Sequence, residues 1–462
     1  MADFKNGLGH DSIQPVIGSD RSMNFFSTFT LWVAANFVIT SVMTGMLFIP
    51  DISITEAMWA IFLGSAIGAI PLVLTGYIGT KTGLPTMAMA RAAFGQKGAV
   101  LPAIINSIIL IGWSWIQAYM AGLSLNYAVE YATGYSNINL FVILTEVLVV
   151  AITIYGHRGL ERVEKYISIT MIVLSFALFY KLFTTYDVQS LISMQLSENP
   201  VTTTVIAFDI VMATAFSWMS TVCDFNRYCK TSMASVAGTY TGYLLASLLA
   251  MGMGAVISGF SILNGMEQTY DPTVLLAQYG FGFVAAIVVF CSVVSTNVMA
   301  LYSAGMSLMN VAPKADFWKV IAGLGIVCTL GALLKEALMA NFYTFILLIA
   351  TLFIPVFAII LVDYFILKKR YYNAQEILSN ERKQYHYQGG INLSAYAAYA
   401  VGALFAYYFT YIQPLSFGST VVTFFFSAVV YWSLMKLFKQ TSAVVIEEPE
   451  QEEAEMPDAK VN

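Results

Sequence analysis

The sequence predicts an all-α protein that crosses a membrane twelve times, and three observations predict it. The 462 residues are 58% hydrophobic and 11% charged, with a mean hydropathy of +0.72, whereas soluble domains are about 45–50% apolar and about 25% charged. Apolar stretches of about 20 residues recur along nearly the whole chain, the length that a helix needs to cross a hydrocarbon core of roughly 30 Å. The basic residues, finally, fall almost entirely on one side of the spans that these stretches define.

In chain order the spans are placed at 27–48, 57–79, 98–126, 137–155, 164–183, 201–222, 234–262, 275–308, 317–334, 341–366, 392–412 and 418–436. The polar stretch 1–26 precedes them, with no small-residue cleavage site after a short apolar core, so the first span is expected to stay in the protein. An even number of spans puts both ends and alternate loops on one side. Of the 22 lysines and arginines, all but Lys181 and Lys335 fall there. One miscounted span would invert every later loop, so the partition supports the count and makes both termini cytoplasmic. The outer loops are short, the longest near Thr184 to Pro200, which leaves no room for an extracellular enzyme or receptor domain.

The polar, basic stretch 367–391 reads as a cytoplasmic linker that sets spans 11 and 12 (392–436) apart from the ten before them (27–366). The remainder, 437–462, reads as a disordered cytoplasmic tail. It holds Glu447, Glu448, Glu450, Glu452, Glu453, Glu455 and Asp458, hence much of the net charge of −5, so that charge says little about a partner. The composition indicates the lipid bilayer as a partner and no nucleic acid. The four cysteines show no disulfide framework or metal spacing. All three histidines, His10, His157 and His386, lie outside the spans, and no phosphate loop, nucleophile elbow or metalloprotease motif is present. No cofactor is implied.

Polar side chains are costly inside a membrane and mark sites or pathways. In the third span Trp113 and Gln117 stand four residues apart, on one helical face. An indole plate beside an amide suits a flat heterocycle, since stacking contributes about 1–3 kcal/mol per base and a glutamine presents both donor and acceptor to a ring edge. The alternative is that Trp113 packs and Gln117 bonds a neighbouring helix. In the sixth span the small and hydroxyl-bearing residues around Ser217 and Trp218 suit a broken helix with backbone groups facing a cavity, where Trp218 would cover the other face of a ligand. Beyond it Asp224 and Arg227 read as an i, i+3 ion pair at the cytoplasmic end. Asn36, after two alanines, marks a second break point in the first span. In the eighth span Ser292, Ser295, Thr296 and Asn297 interrupt an apolar helix. Such hydroxyls can join unwound carbonyls around a sodium ion, or simply bond back to their own helix. Asp209, about eight residues inside the outer end of span 6, needs a partner. It either faces water or neighbouring helices, or meets an amine or protonated ring nitrogen of a ligand, or carries a coupling proton.

Taken in order, these strings resemble the nucleobase cation symporter family, in its cytosine, purine and thiamine-precursor permease branch. The resemblance runs from Ser12–Pro15 with Arg21 and Leu31–Asn36, through Gly79–Gly95 (GTKTGLPTMAMARAAFG), Trp113 with Gln117, Ser217 with Trp218 and DFNRY at 224–228. It continues to Ser295–Asn297 with LYSA at 301–304 and ends at Asp363, Tyr364 and Phe365. It implies the leucine-transporter fold, a five-plus-five inverted repeat (about 27–183 and 201–366) with two extra helices. It also implies that Trp113 and Trp218 sandwich the substrate, that Gln117 bonds it, and that Ser295 and Thr296 bind sodium with carbonyls of span 1. In hydantoin-carrying relatives an asparagine that binds substrate follows the Ser-Thr-Asn string by four residues. Here that position is Leu301, which disfavours hydantoin and makes Asn297 the amide candidate.

The expected function is cation-coupled import of cytosine or a purine by alternating access, with Na+ or H+ as the coupling ion. A permease for thiamine or hydroxymethylpyrimidine is the alternative. A membrane-embedded enzyme would need convergent acid, base or metal groups, and a sensor a soluble output domain; neither is legible.

Overall fold

The computed structural model describes residues 11–266, 282–334, 337, 341–379 and 384–438. The acidic tail beyond 438 and the start of the eighth span lie outside the described residues. Among these residues the long elements are all helices: α1 (Phe25–Asn36), α2 (Ile39–Met46), α3 (Ile54–Thr82), α4 (Val100–Thr133), α5 (Ile138–Thr153), α6 (His157–Thr185), α7 (Thr204–Trp218), α8 (Val222–Asn226), α9 (Ser232–Leu263), α10 (Gly282–Val311), α11 (Phe317–Ala332), α12 (Phe342–Val362), α13 (Leu393–Tyr407) and α14 (Thr420–Leu437). Every predicted span coincides with one of these helices or a pair of them. Six are long and apolar enough to cross a membrane, and the bent pair α1/α2 makes a seventh. Four more spans coincide with shorter apolar helices, among them residues 351–367, where α12 runs on into a wider turn at Asp363–Leu367, and the eleventh coincides with α13.

Two spans are broken. The last hydrogen bond of α1 runs from Phe37 N–H to the Val33 carbonyl, Val38 is extended at φ −128°, ψ 158°, and α2 leaves at 56° to α1. The second break separates α7 from α8. There Met219, Ser220 and Thr221 donate their N–H groups to carbonyls three residues back, and the hydroxyls of Ser217, Ser220 and Thr221 bond to Thr214, Ser217 and Trp218 carbonyls. Hydroxyls that compete for helix carbonyls and three-residue spacing of the ladder both end an α-helix.

The breaks survive because rigid helices brace them. α9 packs along α1, α2 and α3, and the most extensive helix–helix contact among the described residues is that of α10 with α4. Glycine permits the tightest approach: a Cβ at Gly254 would stand 1.9 Å from the Val42 carbonyl oxygen, and one at Gly45 would stand 1.8 Å from that of Met251. Likewise Gly64 and Gly68 let α3 lie against Val211, Met212 and Ala215 of α7. Close backbone approach through small residues is the usual way for helices to gain packing in lipid, where apolar burial adds little.

One expectation fails. Asp224 and Arg227 do not pair: Asp224 accepts the Thr86 N–H at 2.8 Å, and the Arg227 guanidinium donates to the Ser12 carbonyl and to the hydroxyls of Tyr228 and Tyr302 at 2.8–3.1 Å. Tyr228 in turn donates to Asp11 at 2.6 Å and lies flat on His157, ring centroids 3.7 Å apart. The N-terminal segment is thereby tied to α6, α8 and α10, and Arg227, 1% exposed, makes the tie through neutral acceptors rather than through its own helix.

Candidate functional site

The two breaks face a cavity of about 70 Å³, on a scale where one water needs about 10–15 Å³, so there is room for a small ring compound. Six of the residues singled out from the sequence line it: Asn36, Trp113, Gln117, Ser217, Trp218 and Thr296. They come from α1, α4, α7 and α10, and none of the cavity's described lining residues is charged.

The broken span positions Trp218 through Asn36. The indole N–H of Trp218 donates to Asn36 Oδ1 at 3.1 Å, while Asn36 Nδ2 donates to Ser247 Oγ at 2.6 Å. Trp32 meets Trp218 edge-on, with centroids 5.8 Å apart and planes at 86°, and is held by its own N–H to Asn226 at 3.0 Å. The orientation of Trp218 is thus set before any ligand arrives. Asn36 acts as a brace as well as a wall. Trp113, also in the lining, meets Phe345 edge-on at 5.4 Å. One turn further along α4, Gln117 is 4% exposed and its Oε1 has no hydrogen-bond partner. A buried, unsatisfied amide oxygen is costly unless something donates to it, and a ligand N–H is a natural donor. Ser217 lines the wall but spends its hydroxyl proton on the Thr214 carbonyl.

Ser295, Asn297 and Asp209 are not brought to the cavity. Asp209 accepts from Ser419 N, Thr420 N and Thr420 Oγ1 at 3.1–3.2 Å, so it caps the start of α14, the first of the two expectations for it. A carboxylate is favoured there by the unpaired N–H groups and dipole of a helix N-terminus. Asn297, one helical step from Thr296, turns the other way and donates to Glu146 Oε2 at 2.9 Å. Its helix face, which spacing alone did not reveal, points to α5. Thr296 donates to the Ala35 carbonyl at 3.3 Å as well as back to Ser292 at 3.2 Å, and Ser292 reaches the Phe37 carbonyl. Thr296 thus bonds back to its own helix, one of the two readings of these hydroxyls, and it and Ser292 also donate to carbonyls of the broken first span.

Two residues went unnoticed in the sequence. Glu146 on α5 is fully buried and accepts from Ser114 at 3.3 Å and from Asn297. Glu164 on α6 is 1% exposed and accepts from Ser295. For Glu146 the signal was present, since a carboxylate within an apolar span is rare without a function; Glu164 stands at the charged entry of its span, beside Arg162 and Lys165, where an acid attracts no notice.

The chain is similar to known permeases in sequence and to solved transporters in fold. A purine-uracil permease NCS1 of Arabidopsis thaliana is 24% identical over 94% of this chain and 79% of its own. A cytosine permease of Escherichia coli (strain K12) is 27% identical over 77% of this chain and 81% of its own. Among solved structures, Mhp1, a nucleobase-cation-symport-1 family transporter in a closed conformation with bromovinylhydantoin bound, superposes with a TM-score of 0.83 at 20% identity, covering 94% of this chain and 97% of that one. Its inward-facing conformation scores lower, at 0.78. The fold is accordingly of the leucine-transporter type, twelve helices with two outside the repeated core. The family model described as permease for cytosine/purines, uracil, thiamine, allantoin matches residues 15–434, and the chain belongs to that family, which is one of transporters and not of enzymes.

Proposed function

We propose that the protein imports a neutral, flat nitrogen heterocycle, cytosine or a purine, together with a cation, by alternating access. The observation that carries this reading is a cavity lined by both Trp113 and Trp218, uncharged in its described lining, with Gln117 in its wall and the buried Gln117 amide oxygen without a hydrogen-bond partner. Two indoles offer stacking faces to either side of a ring, and the amide offers the one polar contact that distinguishes a ring edge bearing N–H from an apolar ring. With Asp209 engaged at α14 and no carboxylate in the described lining, the site favours a neutral ring over the permanently charged thiamine. The names of the relatives, purine-uracil and cytosine permeases, support the same substrate class.

The breaks in α1/α2 and α7/α8 act as the two half-helix pairs around which a core of residues 27–366 rocks, in repeats of about 27–183 and 201–366, with 392–436 peripheral. Sodium is the coupling ion in this reading, held by Ser295, Thr296 and carbonyls of the first span. The protein sits in the cytoplasmic membrane with both ends inside, as the distribution of lysine and arginine supports. Thermal stabilisation of the purified protein by a panel of nucleobases, hydroxymethylpyrimidine and thiamine, with and without sodium, tests the proposal: a ligand at 100 times its Kd stabilises by about 2.7 kcal/mol. Stabilisation by cytosine or a purine is the expected result, and stabilisation by thiamine alone refutes the substrate class.

A further inference from the structure

We infer that Glu164 is the anionic ligand of the coupling-cation site, so that the ion is held by a carboxylate as well as by hydroxyl and carbonyl oxygens. This rests on the sodium reading of Ser295 and Thr296 given above.

The argument begins with burial. Glu164 lies on α6, one of the helices packed against both α1 and α10, and is 1% exposed. One carboxylate oxygen accepts from Ser295 Oγ, and the other, Oε1, is buried with no partner. Among the described residues no basic side chain stands within salt-bridge distance of Glu164. A buried carboxylate with an open oxygen requires a positive charge or a proton.

The neighbouring oxygens are those that suit a hard monovalent cation. Thr296, adjacent to Ser295, directs its hydroxyl to the Ala35 carbonyl, which lies where the ladder of α1 has stopped, its last bond running from Phe37 to Val33. Ser292, one turn earlier on α10, reaches the Phe37 carbonyl. Three elements thus converge on one region: broken-helix carbonyls from α1, hydroxyls from α10 and a carboxylate from α6. Hard cations take oxygen ligands of these kinds. In a low-dielectric interior a cation among neutral ligands alone keeps a full uncompensated charge, and Glu164 alone keeps a full uncompensated negative one. Each accounts for the other, and the occupied site is close to neutral within the membrane. The remaining buried acid nearby, Glu146, is engaged by Ser114 and Asn297 and is not part of this set.

A site that supplies its own counter-charge can bind sodium before a substrate arrives, so the test uses sodium alone. Purified full-length protein is titrated with sodium chloride against choline chloride at constant ionic strength, and its thermal stability is followed. Wild-type protein is expected to be stabilised by sodium without any heterocycle. Glu164→Gln is expected to need roughly ten-fold more sodium or more for the same stabilisation, the scale of a hydrogen-bonded charge lost. Glu164→Asp keeps the charge but withdraws it by one methylene, and is expected to keep a sodium response with a changed half-saturating concentration. If Glu164→Gln responds like wild type while Ser295→Ala/Thr296→Ala does not, the inference falls and the sodium site stands. If wild-type protein ignores sodium altogether, both fall. Should Glu164→Gln not fold, an unchanged half-saturating concentration in Glu164→Asp overturns the inference by itself.

Discussion

Replacing Trp113 with alanine removes one of the two stacking surfaces of the cavity while leaving the fold in place. The indole is only partly buried and lines the cavity, where it meets the Phe345 ring edge-on at 5.4 Å; the helix that carries it, α4, is held along its length by its extensive contact with α10. Folding should therefore tolerate the change. Binding should not. Loss of base stacking on an aromatic side chain costs about 1–3 kcal/mol, and 1.4 kcal/mol is a factor of ten, so affinity for cytosine or a purine is expected to fall about five- to 150-fold. Trp113→Phe, which keeps a smaller ring, should lie between. The assay is ligand-induced thermal stabilisation or calorimetric titration of purified protein, with size-exclusion chromatography confirming a single folded species. A folded Trp113→Ala protein that binds the ring with wild-type affinity would refute the sandwich.

Gln117→Ala is expected to weaken binding by about 0.5–1.5 kcal/mol, the net contribution of one hydrogen bond, and to do so more for ring-edge N–H donors than for N-methylated analogues in a competition assay. Ser295→Ala/Thr296→Ala should abolish the sodium dependence of substrate binding; a wild-type protein indifferent to sodium but responsive to pH would replace sodium with a proton as coupling ion. Asp209→Asn should leave affinity intact and lower the melting temperature, because the cap it provides to α14 contributes about 0.5–2 kcal/mol. A ten-fold loss of affinity instead would return Asp209 to the site. Gly254→Ala places a Cβ 1.9 Å from a backbone oxygen and should destabilise by about 1–3 kcal/mol or more, whereas Gly252→Ala meets only the flexible end of Met58 at 3.3 Å and should be tolerated. Both are read by thermal unfolding in detergent.

Much of this architecture was legible because a membrane restricts the options. Backbone groups in lipid must be satisfied within a helix or barrel, so apolar length was enough to put a helix or a bent helix pair at each predicted span. The breaks were legible too, as Asn36 and the hydroxyl run at 217–221 both lie at or beside interruptions. What spacing could not supply was rotation about a helix axis. Thr296 faces the cavity, while Ser295 and Asn297 on either side face α6 and α5, and one residue is a turn of 100° that no local pattern in a uniformly apolar helix records. The partners of buried charges escaped for the same reason. Asp209 finds its donors more than 200 residues away, at Ser419 and Thr420. Glu146 carries a signal, an acid inside a span, and Glu164 at the edge of its span carries none; the meaning of both depends on the α10 side chains opposite them.

Uptake of radiolabelled cytosine into proteoliposomes, with an inward sodium gradient and an inside-negative potential imposed together or separately, tests the central claim most directly. One cation moving through 100 mV makes roughly 2.3 kcal/mol available, enough for about 50-fold accumulation of a neutral substrate. The account predicts accumulation well above the external concentration that collapses when the ion gradient and potential are dissipated by ionophores. Cytosine and purines that merely equilibrate across the membrane, with or without the gradient, would contradict it.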